Sequence, residues 1–227
     1  MVENRVSCFY GVSRLRCDFL HDVYGVNNKK IDILPLGFDL DQIENISSDK
    51  RYLRLKYGIP LESFVIISGG KMGKSKGTDL LIRYLESHSN HNMHLVLFGK
   101  FEDDQTFELA KQTNNVSIEG WYERKKTLEL LKLSDLAVWP LLHTTLIEDA
   151  VACSIPLIVK QSGNVEHLIC GNGIAVDNGT YAELEKSINS VYSNYKPFLD
   201  NAILIKEKYS YKIIANMIEQ KWLLAHY

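Results

Sequence analysis

Short apolar runs alternate with segments of helical spacing from residue 64 to residue 192, and few folds accept that alternation. Residues 64–67, 93–98, 115–118, 136–139, 156–159 and 174–176 read as strands, mostly bounded by glycine or proline. Between and after them, residues 78–86, 104–112, 124–133, 147–153, 165–169 and 181–192 read as helices. In residues 78–86 Leu80, Leu81, Tyr84 and Leu85 share one side, and in residues 124–133 Leu128, Leu130 and Leu131 do. Strands separated by helices at this interval imply an α/β, Rossmann-like, doubly wound parallel sheet of about six strands. Ligands of such sheets bind outside the carboxyl ends of the strands, where the glycine-bearing loops lie.

The first of those loops carries the clearest chemistry. After Phe64-Val-Ile-Ile67 comes Ser68-Gly-Gly-Lys-Met-Gly-Lys-Ser-Lys-Gly77, leading into a helix. Glycines let the backbone approach an anion, the helix N-terminus offers N–H groups, and Lys71, Lys74 and Lys76 supply charge. The loop is not a Walker A sequence: Gly73-Lys74-Ser75 has its final part, but position 68 is serine. Judged alone, a solvated basic turn explains it as well as a phosphate site does.

The two ends stand outside the repeat. Residues 5–10 read as a strand-like piece, 13–23 as an amphipathic helix and 31–39 as an extended Pro/Gly connector. Residues 206–227 read as a terminal helix with Ile213, Ile214, Met217, Trp222 and Leu223 on its apolar side. The expected organisation is therefore 1–40, 41–205 and 206–227, with the sheet in the central part. A net charge of −2 in 227 residues excludes a whole-molecule field that would draw nucleic acid. No apolar run approaches the ~20 residues of a membrane span, and the first residues lack a secretory pattern, so a cytoplasmic protein is expected. Cys8, Cys17, Cys153 and Cys170 have no metal-ligand spacing and read as small buried hydrophobes. His88, His91 and His94 read as a polar connection between helix and strand, and no metal is assigned.

Several separated segments, in the right order, resemble the C-terminal, donor-binding half of a GT-B retaining glycosyltransferase of the family 4 type. They are Val12-Ser13 with its helix, Ile33-Leu-Pro-Leu-Gly-Phe-Asp39, Gly69-Gly-Lys71 with Lys76-Gly77, Asn115-Val-Ser-Ile-Glu-Gly120, Ser134-Asp-Leu-Ala-Val-Trp-Pro140 and Asp149-Ala-Val-Ala-Cys-Ser-Ile-Pro156. The resemblance covers nearly the whole chain. Residues 1–40 then correspond to the last strand and helix of an N-terminal domain plus the interdomain connector, residues 41–205 to the Rossmann-like nucleotide-sugar-binding domain, and residues 206–227 to a helix that crosses back to the N-terminal domain.

The resemblance implies a nucleotide sugar, UDP- or GDP-linked, as donor, with no metal, and a place in polysaccharide biosynthesis. It makes Lys71 and Lys76 the catalytic charges that stabilise the departing diphosphate. Gly70 lets the backbone approach, and Thr144, Thr145 and Leu146 offer amides to the distal phosphate, although either threonine also suits a helix cap. Asp149 takes the ribose role, with Glu148 as its competitor and a plain surface acid as the other reading. Trp121 and Tyr122 lie where the base is held, or pack as lid or core. The family's first glutamate falls on Leu141, and a shortened stretch from Pro140 to Asp149 brings His143 to that place. The acceptor, a sugar or lipid-linked sugar, belongs to the N-terminal domain, so residues 1–227 alone are expected to be inactive in transfer. The alternative is a nucleotide-sugar binding module or a catalytically dead relative; a sugar-nucleotide epimerase has no residue in its favour. The apolar sides of the terminal helices are expected to meet each other or to form a homodimer, and a membrane-surface position stays open for the full-length protein.

Overall fold

The computed structural model describes residues 5–89, 91–121 and 123–226. A small N-terminal unit comes first, formed by β1 (Phe9–Gly11), α1 (Arg14–Tyr24) and β2 (Ile31–Ile33), its strands paired in parallel. Ser13 starts α1 by accepting from the Arg16 amide, and Gly25 ends it in the left-handed region. The connector leads into α2 (Leu40–Glu44) and α3 (Lys50–Lys56), each capped by an aspartate, Asp39 and Asp49.

A six-stranded parallel sheet follows in the order β5-β4-β3-β6-β7-β8. Its strands are β3 (Phe64–Met72), β4 (Met93–Phe101), β5 (Val116–Glu119), β6 (Leu136–Trp139), β7 (Leu157–Lys160) and β8 (Gly173–Val176). The intervening helices are α4 (Thr78–Ser87), α5 (Asp104–Gln112), α6 (Arg124–Leu133) and α7 (Leu146–Ala152); α8 (Tyr181–Ser193), α9 (Tyr195–Ile205) and α10 (Tyr211–His226) close the chain. This is the doubly wound sheet that the alternation of apolar runs requires. The chain order reverses between β3 and β6, so the switch point lies at their carboxyl ends.

Each strand divides its side chains between two cores because successive residues point to opposite faces. Val65 and Ile67 of β3, Val96 and Phe98 of β4, and Ala137 and Trp139 of β6 join α3, α6 and α7 on one face. Ile66, Leu95, Leu97, Leu136 and Val138 join α4, α5 and α8 on the other. Burying one such side chain is worth about 1.5–3 kcal/mol, which is why the strands read as continuous apolar runs.

Three sequence expectations change. β3 and β4 run three or more residues past their expected ends at Ile67 and Phe98, because Gly70 and Gly99 stay in the ladder and pair with each other. A Cβ at Gly99 would lie 2.1 Å from the Gly70 carbonyl oxygen, so only glycine lets the two backbones pass there. The terminal helix begins only at Tyr211, after a turn of 3-10 helix over Lys206–Tyr209. That break leaves Tyr209 and Tyr211 to bond the backbone of Phe38 (3.1 and 3.0 Å), which ties the connector to the C-terminal segment. Finally, Cys170 is exposed, since it sits in the turn before β8 and not in the core, whereas Cys17 is buried as expected.

Beneath the sheet, Arg54 and Asp135 form a buried pair at 2.6 Å. Arg54 also donates to the carbonyls of Leu133 (3.0 Å), Leu61 (2.7 Å) and Ser63 (3.0 Å). Asp135 accepts in addition from Lys50 Nζ and from the Val65 amide, both at 2.7 Å. This network joins α3, the end of α6 and the starts of β3 and β6.

His94, on β4, is buried with its Nε2 2.8 Å from Ser117 Oγ, and burial lowers its pKa to about 4. The unfolded chain therefore binds this proton first, near pH 6.5, and the stability held by neutral His94 is lost as pH falls from about 6.5 to about 4. His94→Gln is expected to flatten the decline in melting temperature across that window. An equally steep decline in the variant would assign the acid sensitivity to other groups.

The terminal helices leave apolar residues uncovered: Leu15, Phe19 and Val23 on α1, and Ile213, Met217 and Leu223 on α10 are exposed. Lys221 of α10 pairs with Asp32 of β2, so the C-terminal helix reaches the N-terminal unit through charge. The side chains of Trp222 and Leu224, expected on the same stripe, lie outside the described residues. No described helix is long and apolar enough to cross a membrane.

Candidate donor site

The carboxyl ends of β3 and β6 face a cavity of about 280 Å³. Gly70, Lys71, Lys76, Trp121, His143, Thr144, Thr145 and Leu146, all singled out in the sequence, line it together. The backbone explains how residues so far apart in sequence meet. Trp139 donates its indole N–H to the Gly69 carbonyl (3.0 Å), fixing the end of β6 against β3. Thr78 at the start of α4 accepts from the Gly73 amide (3.1 Å), which folds the lysine loop back over the cavity. Gly70 has φ +100, a conformation open to glycine, and faces Leu146 and Thr144 across the gap.

Charge at this end is positive and uncommitted. Among the described residues, neither Lys71 nor Lys76 has a carboxylate within ion-pair distance, while Lys74 is turned away onto Gln105 (2.7 Å). That separates the two catalytic candidates from the exposed loop lysine. Lys100 was not singled out in the sequence; it stands beside Lys71 in the parallel register of β3 and β4. Only the pairing of the strands reveals it. Like charges side by side repel unless an anion joins them.

Asp149 does not line this cavity. It is buried on α7 and faces a neighbouring cavity of about 330 Å³, shared with Gly37, Asp39, Arg124, Glu148 and Tyr211. Arg124, at the start of α6, holds the Asp149 carboxylate in a close ion pair. Burial pushes the Asp149 carboxyl above its ordinary pKa, against the opposing pull of Arg124. Thr145 lines both cavities, so the two adjoin. Thr145 stands at the N-cap of α7 without a side-chain cap bond, and Thr144 Oγ1, one residue earlier, accepts from the Leu146 amide at 3.4 Å. Trp121 is 58% exposed, which favours an open contact surface over a core role. Tyr122 lies outside the described residues. Leu141 is partly buried beside Gly77 and Gly179 and carries no polar group.

Asp39-Leu40-Asp41 has a spacing that can hold a cation, but Asp39 is spent on capping α2, accepting from the Gln42 amide at 3.2 Å. Among the described residues, no group of three or more histidine, cysteine, aspartate or glutamate side chains is placed to bind a metal.

The sequence pattern of the family described as Glycosyl transferases group 1 matches residues 49–209. The chain belongs to that family. A D-inositol 3-phosphate glycosyltransferase from Xylanimonas cellulosilytica is 25% identical over 182 residues, covering 73% of this chain and 43% of the relative. A mannosylfructose-phosphate synthase from Agrobacterium fabrum is 24% identical over 170 residues, covering 66% of this chain and 37% of the relative. The group 1 chain thus spans less than half the length of either. Among solved structures, Anabaena HepE in complex with UDP superposes with a TM-score of 0.81 at 18% identity, over 97% of this chain and 65% of that one. The C-terminal domain of LpcC, a group 1 protein from Francisella tularensis, superposes over its whole length and 77% of this chain, with a TM-score of 0.62 at 18% identity. The fold is that of the C-terminal, Rossmann-like domain of GT-B glycosyltransferases.

Proposed function

We propose that this chain is the donor-binding part of a glycosyltransferase that takes a nucleoside diphosphate sugar and transfers the sugar with retention. The observation that carries this reading is the cavity at the switch point, where Lys71 and Lys76 stand without carboxylate partners beside the glycine backbone of β3. A diphosphate leaving the anomeric carbon gathers negative charge, and fixed ammonium groups stabilise it without a metal. Gly70 and the 144–146 segment give the phosphates a close backbone approach, and Trp121 offers an aromatic face to the base. In this reading Arg124 releases Asp149 so that the carboxylate can accept from ribose hydroxyls.

The acceptor, a sugar or lipid-linked sugar, is assigned to a domain outside residues 1–227, because the chain spans 43% of its inositol phosphate relative. The exposed apolar residues of α1 and α10 are the surfaces such a domain, or a second copy, would cover. The second reading, a binding module without transfer, is favoured by Leu141 at the place of the family's first glutamate and by Arg124 on Asp149.

Calorimetric titration with UDP and GDP tests the first reading. One of them is expected to bind, with the same affinity in the presence of a chelator. Binding that disappears with the chelator would mean that a cation supplies the charge assigned to the lysines. Residues 1–227 are expected to give at most slow donor hydrolysis; robust acceptor-dependent transfer by this chain alone would overturn the division of labour. Turnover by the full-length protein then separates the enzyme from the binding module.

A further inference from the structure

Buried polar atoms without partners collect at one place, the joint between the N-terminal unit and the sheet. Seven buried side-chain atoms among the described residues lack a hydrogen-bond partner, and His143 Nε2, Glu148 Oε2 and His167 Nε2 are three of them. Their residues line a cavity of about 100 Å³ with Ser13, Arg16 and Asn164. Glu148 is 5% exposed, and its other oxygen lies 3.5 Å from His143 Nε2, too poorly placed for a hydrogen bond. A carboxylate so placed lowers stability unless something donates to it. The Ser13 hydroxyl does not, because it donates to Asn164 Oδ1 at 2.9 Å, and no hydrogen bond from Asn164 or Arg16 reaches the free carboxylate oxygen.

The missing partner must both donate and accept. Carboxylate oxygens only accept, whereas a neutral imidazole presents one donor and one acceptor nitrogen. Burial lowers the pKa of His167 and so favours its neutral form. Neighbouring hydroxyl groups satisfy such a set, and a sugar ring carries them. His143 also lines the donor cavity together with Lys71 and Lys76, so a group attached to a diphosphate held there extends past His143 toward Glu148. The smaller cavity accommodates one edge of a pyranose ring, not the whole of it.

We propose that Glu148, His143 and His167 bind hydroxyls of the donor sugar ring, which makes Glu148 and His167 determinants of sugar recognition at positions outside the family's glutamate pair. The inference rests on the donor-binding reading above. Its test compares the dissociation constant of a nucleotide sugar with that of its free nucleotide: UDP-glucose with UDP, or GDP-mannose with GDP, whichever pair binds. His167→Ala is expected to leave free-nucleotide affinity unchanged and to weaken the nucleotide sugar relative to it by about tenfold. Glu148→Ala should shift the same ratio in the same direction. Because an unpartnered buried carboxylate is removed, Glu148→Ala should also melt no lower than the parent, where a purely structural glutamate would give a lower melting temperature. A ratio unchanged in both variants, with the nucleotide still bound, overturns the inference and leaves the donor-binding reading intact. Failure of the parent chain to bind any of the four ligands overturns both.

Discussion

Asp135→Ala is expected to destabilise the protein by about 3–5 kcal/mol, the usual cost of breaking a buried ion pair from one side. The reason is what it leaves behind. Arg54, 7% exposed, would keep its three carbonyl contacts but lose the only carboxylate paired with it among the described residues. The Val65 amide, which donates to Asp135 at 2.7 Å, would lose its acceptor at the start of the central strand. Such a loss is a large part of the stability of an ordinary domain, so urea unfolding should show a much lower midpoint with a similar slope. Lys50→Ala removes the more exposed partner and should cost far less. Equal effects of the two substitutions would show that the network does not work as a buried pair.

Lys71→Ala combined with Lys76→Ala is expected to weaken binding of the nucleoside diphosphate by roughly 2–5 kcal/mol, given charge-assisted hydrogen bonds in the bound state. Stability should hardly change, because neither ammonium has an ion-pair partner among the described residues to lose. Lys74→Ala is the internal comparison: its ammonium sits on Gln105, and its loss should leave affinity near the parent value. Isothermal titration of the three chains decides the matter. Unchanged affinity in the double variant would remove the lysine loop from the site.

The alternation of strands and helices was legible because each strand had to bury both faces, and α5, α6 and β6 begin and end where periodicity places them. Strand ends were not legible at Gly70 and Gly99, since glycine signals a turn by propensity, and here close backbone approach keeps it in the ladder. The short helices α2 and α3 escaped notice because their signal is one aspartate cap each and a basic residue, Arg54, that turns inward. In the site, residues contributed by consecutive segments at the strand ends could be named in advance. Partnerships across distant elements could not: no local pattern relates Arg124 to Asp149, Lys100 to Lys71, or His167 to Glu148. A signal for the last existed only in hindsight, as a histidine in the short helical turn after a sheet strand.

The pairing of Gly70, Lys71 and Met72 with Gly99, Lys100 and Phe101 makes the proposed anion seat part of the hydrogen-bonded ladder and not a loop. A seat of that kind has little conformational entropy left to lose when a ligand arrives. Amide exchange at residues 70–72 should therefore already be slow in the empty protein, and nucleotide should slow it only modestly. Under the proposed function, capture at this end would be governed by encounter and charge, and any slower rearrangement would be left to the outer groups, Trp121 and Arg124, which stand in solvent at the margins of the candidate site.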